Sequence, residues 1–167
     1  MVEPPGFRDY VTAREVALLR TAWMLTGDWH QAQDLVQTAL IRAWPRWRRI
    51  CEGGDPDAYV TKIVVNAYLA ENRRLWRRRE VVSDSLPERL TPDEYAAADL
   101  RDVMARLLPS LPSRQRAVLI LRYFDDLTET QTAEVLGCSV GTVKSHNARA
   151  LAALRATCLR YRSEEAQ

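Results

Sequence analysis

Residues 139–149 read Ser-Val-Gly-Thr-Val-Lys-Ser-His-Asn-Ala-Arg. At about 100° per residue along a helix, Val140, Val143, Leu151 and Leu154 share one face, with Thr142, Ser145 and Arg149 opposite and Gly141, His146 and Ala148 beside them. That is chemistry for recognition rather than for bond making. Small groups permit entry into a DNA groove, hydroxyls bond base edges or phosphates, and an arginine can grip guanine through two parallel hydrogen bonds. Ser139 caps the helix, whose first turn offers free N–H groups to a phosphate. Lys144 lies nearer the packed side and is expected to reach for a phosphate rather than a base.

A second group of chemical interest is Asn66–Arg79, NAYLAENRRLWRRR. Arginines neutralise backbone phosphates, and aromatic rings stack on unpaired bases. The alternative is a solubilising helix end whose cations offset the helix dipole. Arg73, Arg74, Arg77, Arg78 and Arg79 together exceed what a dipole needs, which favours nucleic acid. A third group, Asp34 and Gln37, stands one turn apart on a helix that also carries Arg42, Trp44 and Arg48. Periodicity alone reads it as an ordinary solvated face in preference to a protein-docking one.

Other chemistries find little support. Cys51, Cys138 and Cys158 are widely separated, His30 and His146 are the two histidines, and no CxxC or HxxxH spacing accompanies them. Reduced thiols, no metal and no cofactor are expected. No nucleophile–base arrangement or glycine-rich phosphate loop is present, so an enzyme is not expected. No apolar run approaches the roughly 18 residues of a membrane span, and Met1–Tyr10 does not resemble a secretory signal, so the expected compartment is the cytoplasm and no membrane contact is expected. The net charge of +2 is uninformative, but its distribution is not. The basic run at 73–79 gives way to Glu80, Asp84, Glu88, Asp93, Glu94, Asp99 and Asp102, and the end turns basic again through Lys144, Arg149, Arg155, Arg160 and Arg162.

The elements that must position these residues are all helical. Phe7–Leu25 has apolar residues near helical spacing and stops at Gly27; Asp28 with Gln31 caps a second helix that Pro45 should kink or end. Cys51–Gly54 is expected as a loop, Asp55-Pro56 starts a third helix running to about Arg79, and residues 81–92 lack a period. A fourth helix is expected from the Thr91-Pro92 cap to about Leu108, a fifth through Val118–Tyr123, and a short sixth from the Thr128/Gln131 cap to Leu136. Gly137-Cys138-Ser139 is then a tight turn before a seventh helix to about Arg160. The expected fold is all-α, two small helical domains joined by a flexible acidic linker: 1–80, a linker at 81–97, and 98–167.

Within the second domain, Thr128–Leu154 fits a helix-turn-helix. Ala133 is small where the helices approach, and Gly137 accepts the left-handed backbone that ends the first one. A plain helical hairpin and a stand-alone repressor binding paired half-sites are the alternatives. A repressor would have no use for the basic, aromatic third helix.

The order Asp34-Leu35-Val36-Gln37, the Asn66-then-arginine helix, LPSRQRAVLILRYFDDLT and AEVLGCSVGTVKSHNARALAALR together resemble the sigma-70 family, specifically its small extracytoplasmic-function group and the actinobacterial sigma-E-like subfamily. The resemblance spans nearly the whole chain. It implies a sigma factor that binds RNA polymerase core and directs it to promoters. The first domain would be sigma region 2, docking on the β′ clamp helices through Asp34, Leu35, Gln37 and Trp44 and opening the −10 element with the Ile50–Ala58 loop, Tyr59, Asn66, Arg73, Arg74 and Arg77. The second would be sigma region 4, touching the β-flap and reading the −35 element with Ser139, Gly141, Thr142, Lys144, Ser145, His146 and Arg149. Promoter DNA is thus an implied partner, and an anti-sigma factor is compatible with the resemblance. The acidic segment 80–99 would lie in the positively charged channel later taken by RNA. Gln33 and Thr38 stand where the family often has Glu, and His146 stands where it usually has Arg. No appended regulatory domain is expected after Gln167.

Overall fold

The computed structural model describes residues 2–81 and 107–165, and among these every regular element is helical. In chain order they are α1 (Phe7–Thr26), α2 (Trp29–Ala43), a 3-10 turn (Trp44–Arg46), α3 (Trp47–Glu52), α4 (Pro56–Val81), a second 3-10 turn (Leu108–Ser110), α5 (Ser113–Tyr123), α6 (Glu129–Leu136) and α7 (Val140–Glu165). The expected acidic linker and nearly all of the expected fourth helix lie outside the described residues.

The helix ends follow local chemistry. Gly27, at φ 69°, closes α1 by donating its N–H to the Trp23 carbonyl at 2.7 Å. The Asp28 carboxylate then accepts the Gln31 N–H at 2.8 Å and starts α2. Pro45 cannot donate to the preceding turn, so regular helix stops at Ala43, passes through the 3-10 turn and resumes at Trp47. The resumed helix includes Cys51 and Glu52, so the expected loop shrinks to Gly53–Asp55. Asp55 Oδ1 accepts the Ala58 N–H at 3.0 Å and opens α4.

In the N-terminal half, α1 packs on α2 and α4. Phe7 meets Trp44 and Trp47 edge-on, at ring separations of 4.8 and 5.0 Å. Such pairs contribute about 0.5–1.5 kcal/mol beyond area burial. Asp57 on α4 ties back to α1, accepting from Tyr10 Oη at 3.0 Å and Arg14 Nε at 2.8 Å. Burial and the Asp57 carboxylate both push the Tyr10 phenol up, so it remains a donor. In the C-terminal half, Ala117–Leu121 of α5 are wholly buried against α6 and α7.

The halves do not stand apart. Their buried side chains form one contiguous cluster. α1 meets α5 and the second 3-10 turn, while α4 meets α6. Two polar bridges cross the seam. Thr21 Oγ1 donates to Asp125 Oδ1 at 2.8 Å, and Arg116 Nη1 donates to the Leu25 carbonyl at 2.7 Å. No local sequence signal announced either bridge, since the partners lie 104 and 91 residues apart.

Candidate nucleic-acid interface

α6 and α7 form the helix-turn-helix. The Thr128 hydroxyl accepts the Gln131 N–H at 3.1 Å, and Gln131 Oε1 accepts the Thr128 N–H at 2.8 Å, a complete capping box. At the other end of α6, Gly137 adopts φ 63° and ψ 40°. A Cβ there would meet nothing within 4 Å, so the left-handed backbone, not crowding, calls for glycine. The Gly137 and Cys138 N–H groups both turn back to the Ala133 carbonyl. Ser139 Oγ accepts the Thr142 N–H at 3.1 Å and lies 2.9 Å from Thr142 Oγ1. The two hydroxyls therefore first build the cap, and what they offer to DNA is their remaining lone pairs.

Val143, Ala150 and Leu154 bury one face of α7, and Val140 and Leu151 pack partly against the same core. Ser139, Gly141, Lys144, Ser145, Ala148 and Arg149 are exposed, and Thr142 is half-buried. The predicted recognition face is thus a single outward surface: slim at its start, with Arg149 as its long cation. Lys144 Nζ sits 3.7 Å from Glu129 Oε2 of α6, an exposed pair of the kind that contributes at most about 1 kcal/mol. His146 differs from the rest. It is half-buried, and its Nδ1 is sealed without a partner among the described residues. Burial, then Arg114 and Arg149, lower its pKa, so near neutral pH it is an uncharged ring. Asn147 Nδ2 donates to Tyr123 Oη at 3.1 Å, tying α7 to the end of α5. Sequence reasoning did not find this tie, whose partners are 24 residues apart.

α4 carries the second surface. Asn66, Arg73, Arg74 and Arg77 are exposed and Tyr59 is half-buried. At about 100° per residue, Tyr59, Asn66, Arg73 and Arg77 fall in one stripe about 27 Å long. Lys62 lies in it too, exposed and unforeseen, though the register counted from Pro56 would have found it. Arg74 sits to one side, its Nη2 donating to Glu71 at 2.7 Å. Trp76, beside the far end of the stripe, is 64% exposed, an unusual cost for an indole.

The four predicted docking residues do not form one face. Asp34 and Gln37 are exposed, whereas Leu35 and Trp44 lean on the core, Trp44 against Phe7. The apolar group beside Asp34 and Gln37 is Ile41, 71% exposed and one helical repeat of seven beyond Asp34. That spacing was readable in the sequence, which had assigned Ile41 neither to the core nor to a docking face. Among the described residues no group of His, Cys, Asp and Glu could hold a metal ion, and no helix is long and apolar enough to cross a membrane.

Two family models match in the order of the two halves: sigma-70 region 2 over residues 11–78 and sigma-70 region 4 over residues 101–154. The chain is 40% identical over 158 residues to the RNA polymerase sigma-E factor of Streptomyces coelicolor, covering 93% of this chain and 87% of the relative. It is 38% identical over 144 residues to the extracytoplasmic-function sigma factor SigL of Mycobacterium tuberculosis, covering 84% and 81%. Among solved structures, the sigma factor RpoE of Bartonella quintana, in complex with the anti-sigma factor NepR, superposes with a TM-score of 0.74 at 27% identity, over 91% of this chain and 96% of that one. The helix-turn-helix, the basic helix before it and these matches together mean that the chain belongs to the sigma-70 family, in its extracytoplasmic-function group, and is a sigma factor for promoter-specific initiation of transcription.

Proposed function

We propose that the two exposed faces divide promoter reading between them. α7 enters the major groove of the −35 element. Ser139, Gly141, Thr142 and Ser145 shape the approach, Lys144 contacts phosphate, and Arg149 reads a base. His146 stands at the margin of this face and contributes packing and hydrogen bonding rather than charge. The −10 element is held as an opened strand by the loop at 50–58, Tyr59, Asn66, Arg73, Arg74 and Arg77, with Lys62 and Trp76 extending the surface. The observation that carries this reading is the pairing of unlike surfaces: a slim polar helix face built for duplex, and a stripe of cations and aromatics built for single strands.

RNA polymerase core is the obligate partner and supplies all catalysis. Asp34 and Gln37 make the docking contact on the β′ clamp helices with Ile41 between them, and Leu35 and Trp44 support that surface from beneath. The C-terminal half touches the β-flap. The residues 1–80 and 98–167 act as the two binding units, the segment between them lies in the polymerase's RNA path, and the protein works in the cytoplasm. An anti-sigma factor is a further partner; the RpoE relative was solved with one.

Run-off transcription with purified core polymerase on a genomic promoter library tests the proposal. Transcripts from a small set of promoters sharing upstream and downstream elements are expected with the wild type. Asp34→Ala with Ile41→Ala is expected to remove them by weakening core binding in a pull-down. Promoter choice unchanged by Arg149→Ala and strand opening unchanged by Arg73→Ala with Arg77→Ala would refute the residue assignments.

A further inference from the structure

The inner face of α7 holds one residue that apolar packing does not explain. At about 100° per residue, positions 140, 143, 147, 150 and 154 form a single stripe toward the core. Val143, Ala150 and Leu154 are buried there, and Val140 packs partly beside them. The central place is taken by Asn147, half-buried and opposite the face that carries Ser145 and Arg149. An asparagine is costly at such a place. Its Oδ1 is sealed and has no partner among the described residues, which opposes burial. A leucine would fill the stripe without that penalty.

What Asn147 has instead is a directed bond. Its Nδ2 donates to Tyr123 Oη at 3.1 Å. Tyr123 ends α5, the helix that packs on α7. This anchor is itself held in place. The Leu127 N–H donates to the Leu121 carbonyl at 2.9 Å, and Arg122 Nη1 donates to the Leu127 carbonyl, so the turn after α5 folds back on the helix end. Tyr123 is 49% exposed, and water competes at its hydroxyl, so the bond adds little to stability. Its contribution is direction. Apolar contacts between small side chains are non-directional and let a helix roll, whereas a hydrogen bond weakens steeply as its angle closes. With side chains a helix is about 5–6 Å in radius, so a roll of about 20° carries an outward atom about 2 Å. A hydrogen bond to a base edge tolerates a spread of about 0.5 Å.

We propose that Asn147 is a positioning residue for promoter reading: its bond to Tyr123 fixes the roll of α7 on α5, and with it where Thr142, Ser145 and Arg149 arrive in the groove. This rests on the assignment of α7 to the −35 element, from which Asn147 itself faces away. A single polar group in the apolar seam of paired helices sets their register at a cost in stability, and the same trade is made here.

The test uses RNA polymerase holoenzyme assembled with the full chain. The probe is a promoter recovered by run-off transcription, its −35 element randomised, and the bound fragments are sequenced. The wild type is expected to enrich a narrow set of sequences. Asn147→Leu and Tyr123→Phe should each lower the enrichment of that set over the average sequence by about tenfold, the lower part of what a bidentate base contact is worth. The two changes together should lose no more than either alone, because both remove the same bond. Total binding to the pool and its salt dependence should stay unchanged, because the phosphate contacts remain. The melting temperature of the Asn147→Leu chain should equal or exceed that of the wild type. Unchanged enrichment in Tyr123→Phe, additive losses in the double variant, or losses that come with a lower melting temperature in both single variants each overturn the proposal. Arg149→Ala separates the two ideas. If it leaves the enrichment unchanged, the −35 assignment of α7 fails and the positioning role with it. If it lowers the enrichment while the Asn147 and Tyr123 variants do not, the positioning role alone fails.

Discussion

α4 and α7 are both long helices with a polar outer face, yet under the proposed function they hold nucleic acid in opposite ways. α7 is anchored at its start by the Ser139 cap and the Gly137 turn, buries Val143 and Ala150 completely, and shows small groups outward. α4 runs past its core contacts and ends in exposed Arg77, Arg78 and Trp76. A groove of fixed width rewards a slim, rigidly held helix whose few donors meet defined base edges. An unpaired strand has no fixed width and rewards charge and flat rings.

Five measurements break or sharpen this contrast. The largest effect is expected from Val143→Asp. A carboxylate at a wholly buried position costs several kcal/mol, enough to unfold the C-terminal half. Thermal denaturation should show a large loss of stability, and duplex binding should vanish; a stable, duplex-binding variant would mean that α7 is not anchored as described. Next, Arg149→Ala should cost about 1–3 kcal/mol of discrimination between matched and mismatched −35 duplexes if the side chain grips guanine bidentately. A uniform loss on both duplexes would turn Arg149 into a phosphate contact and blunt the contrast with α4. Gly137→Ala should cost about 1–2 kcal/mol of folding stability, because φ 63° strains any Cβ; chemical denaturation measures it.

Smaller effects are expected from the charged surface and the seam. Arg73→Ala with Arg77→Ala should weaken single-strand binding whatever the sequence and flatten its salt dependence by a slope of about 1.4. Sequence-dependent losses would argue that α4 reads bases. The smallest effect concerns Asp125, whose carboxyl is pushed up to about 6, chiefly by burial, with Asp57 and Asp126 raising it and Thr21 and Arg14 opposing. An acid with a raised pKa in the folded form favours folding when protonated. That gain is complete below about 3.8 and gone above about 6. The melting temperature should therefore fall slightly from pH 5.5 to 7.5, and a rise that Asp125→Asn abolishes would contradict the buried position of Asp125.

Much of the site was readable in the residues. The Thr128/Gln131 box, the glycine at 137 and the serine at 139 each specify a local hydrogen-bond pattern within four residues, so helix ends around the recognition face appeared where expected. The Arg73–Arg77 cluster was equally plain, because exposed charge needs no distant partner. Lys62 and Ile41 were missed for want of register rather than of signal, since both follow from counting along helices whose starts were known. Leu35 and Trp44 were placed on a docking face because family resemblance assigns roles to positions, and it does not say which way a half-apolar side chain leans.

By itself, then, the sequence determined the helices, their caps, the helix-turn-helix and the family, since all of these depend on neighbours a turn or two away or on patterns that survive alignment. Only the tertiary structure decided that Trp44 meets Phe7 edge-on, that the His146 ring is sealed on one nitrogen, that Asn147 leans on Tyr123, and that Thr21 reaches Asp125. Each joins groups far apart along the chain, and such contacts arise from the global minimum of packing, to which no single segment holds the key.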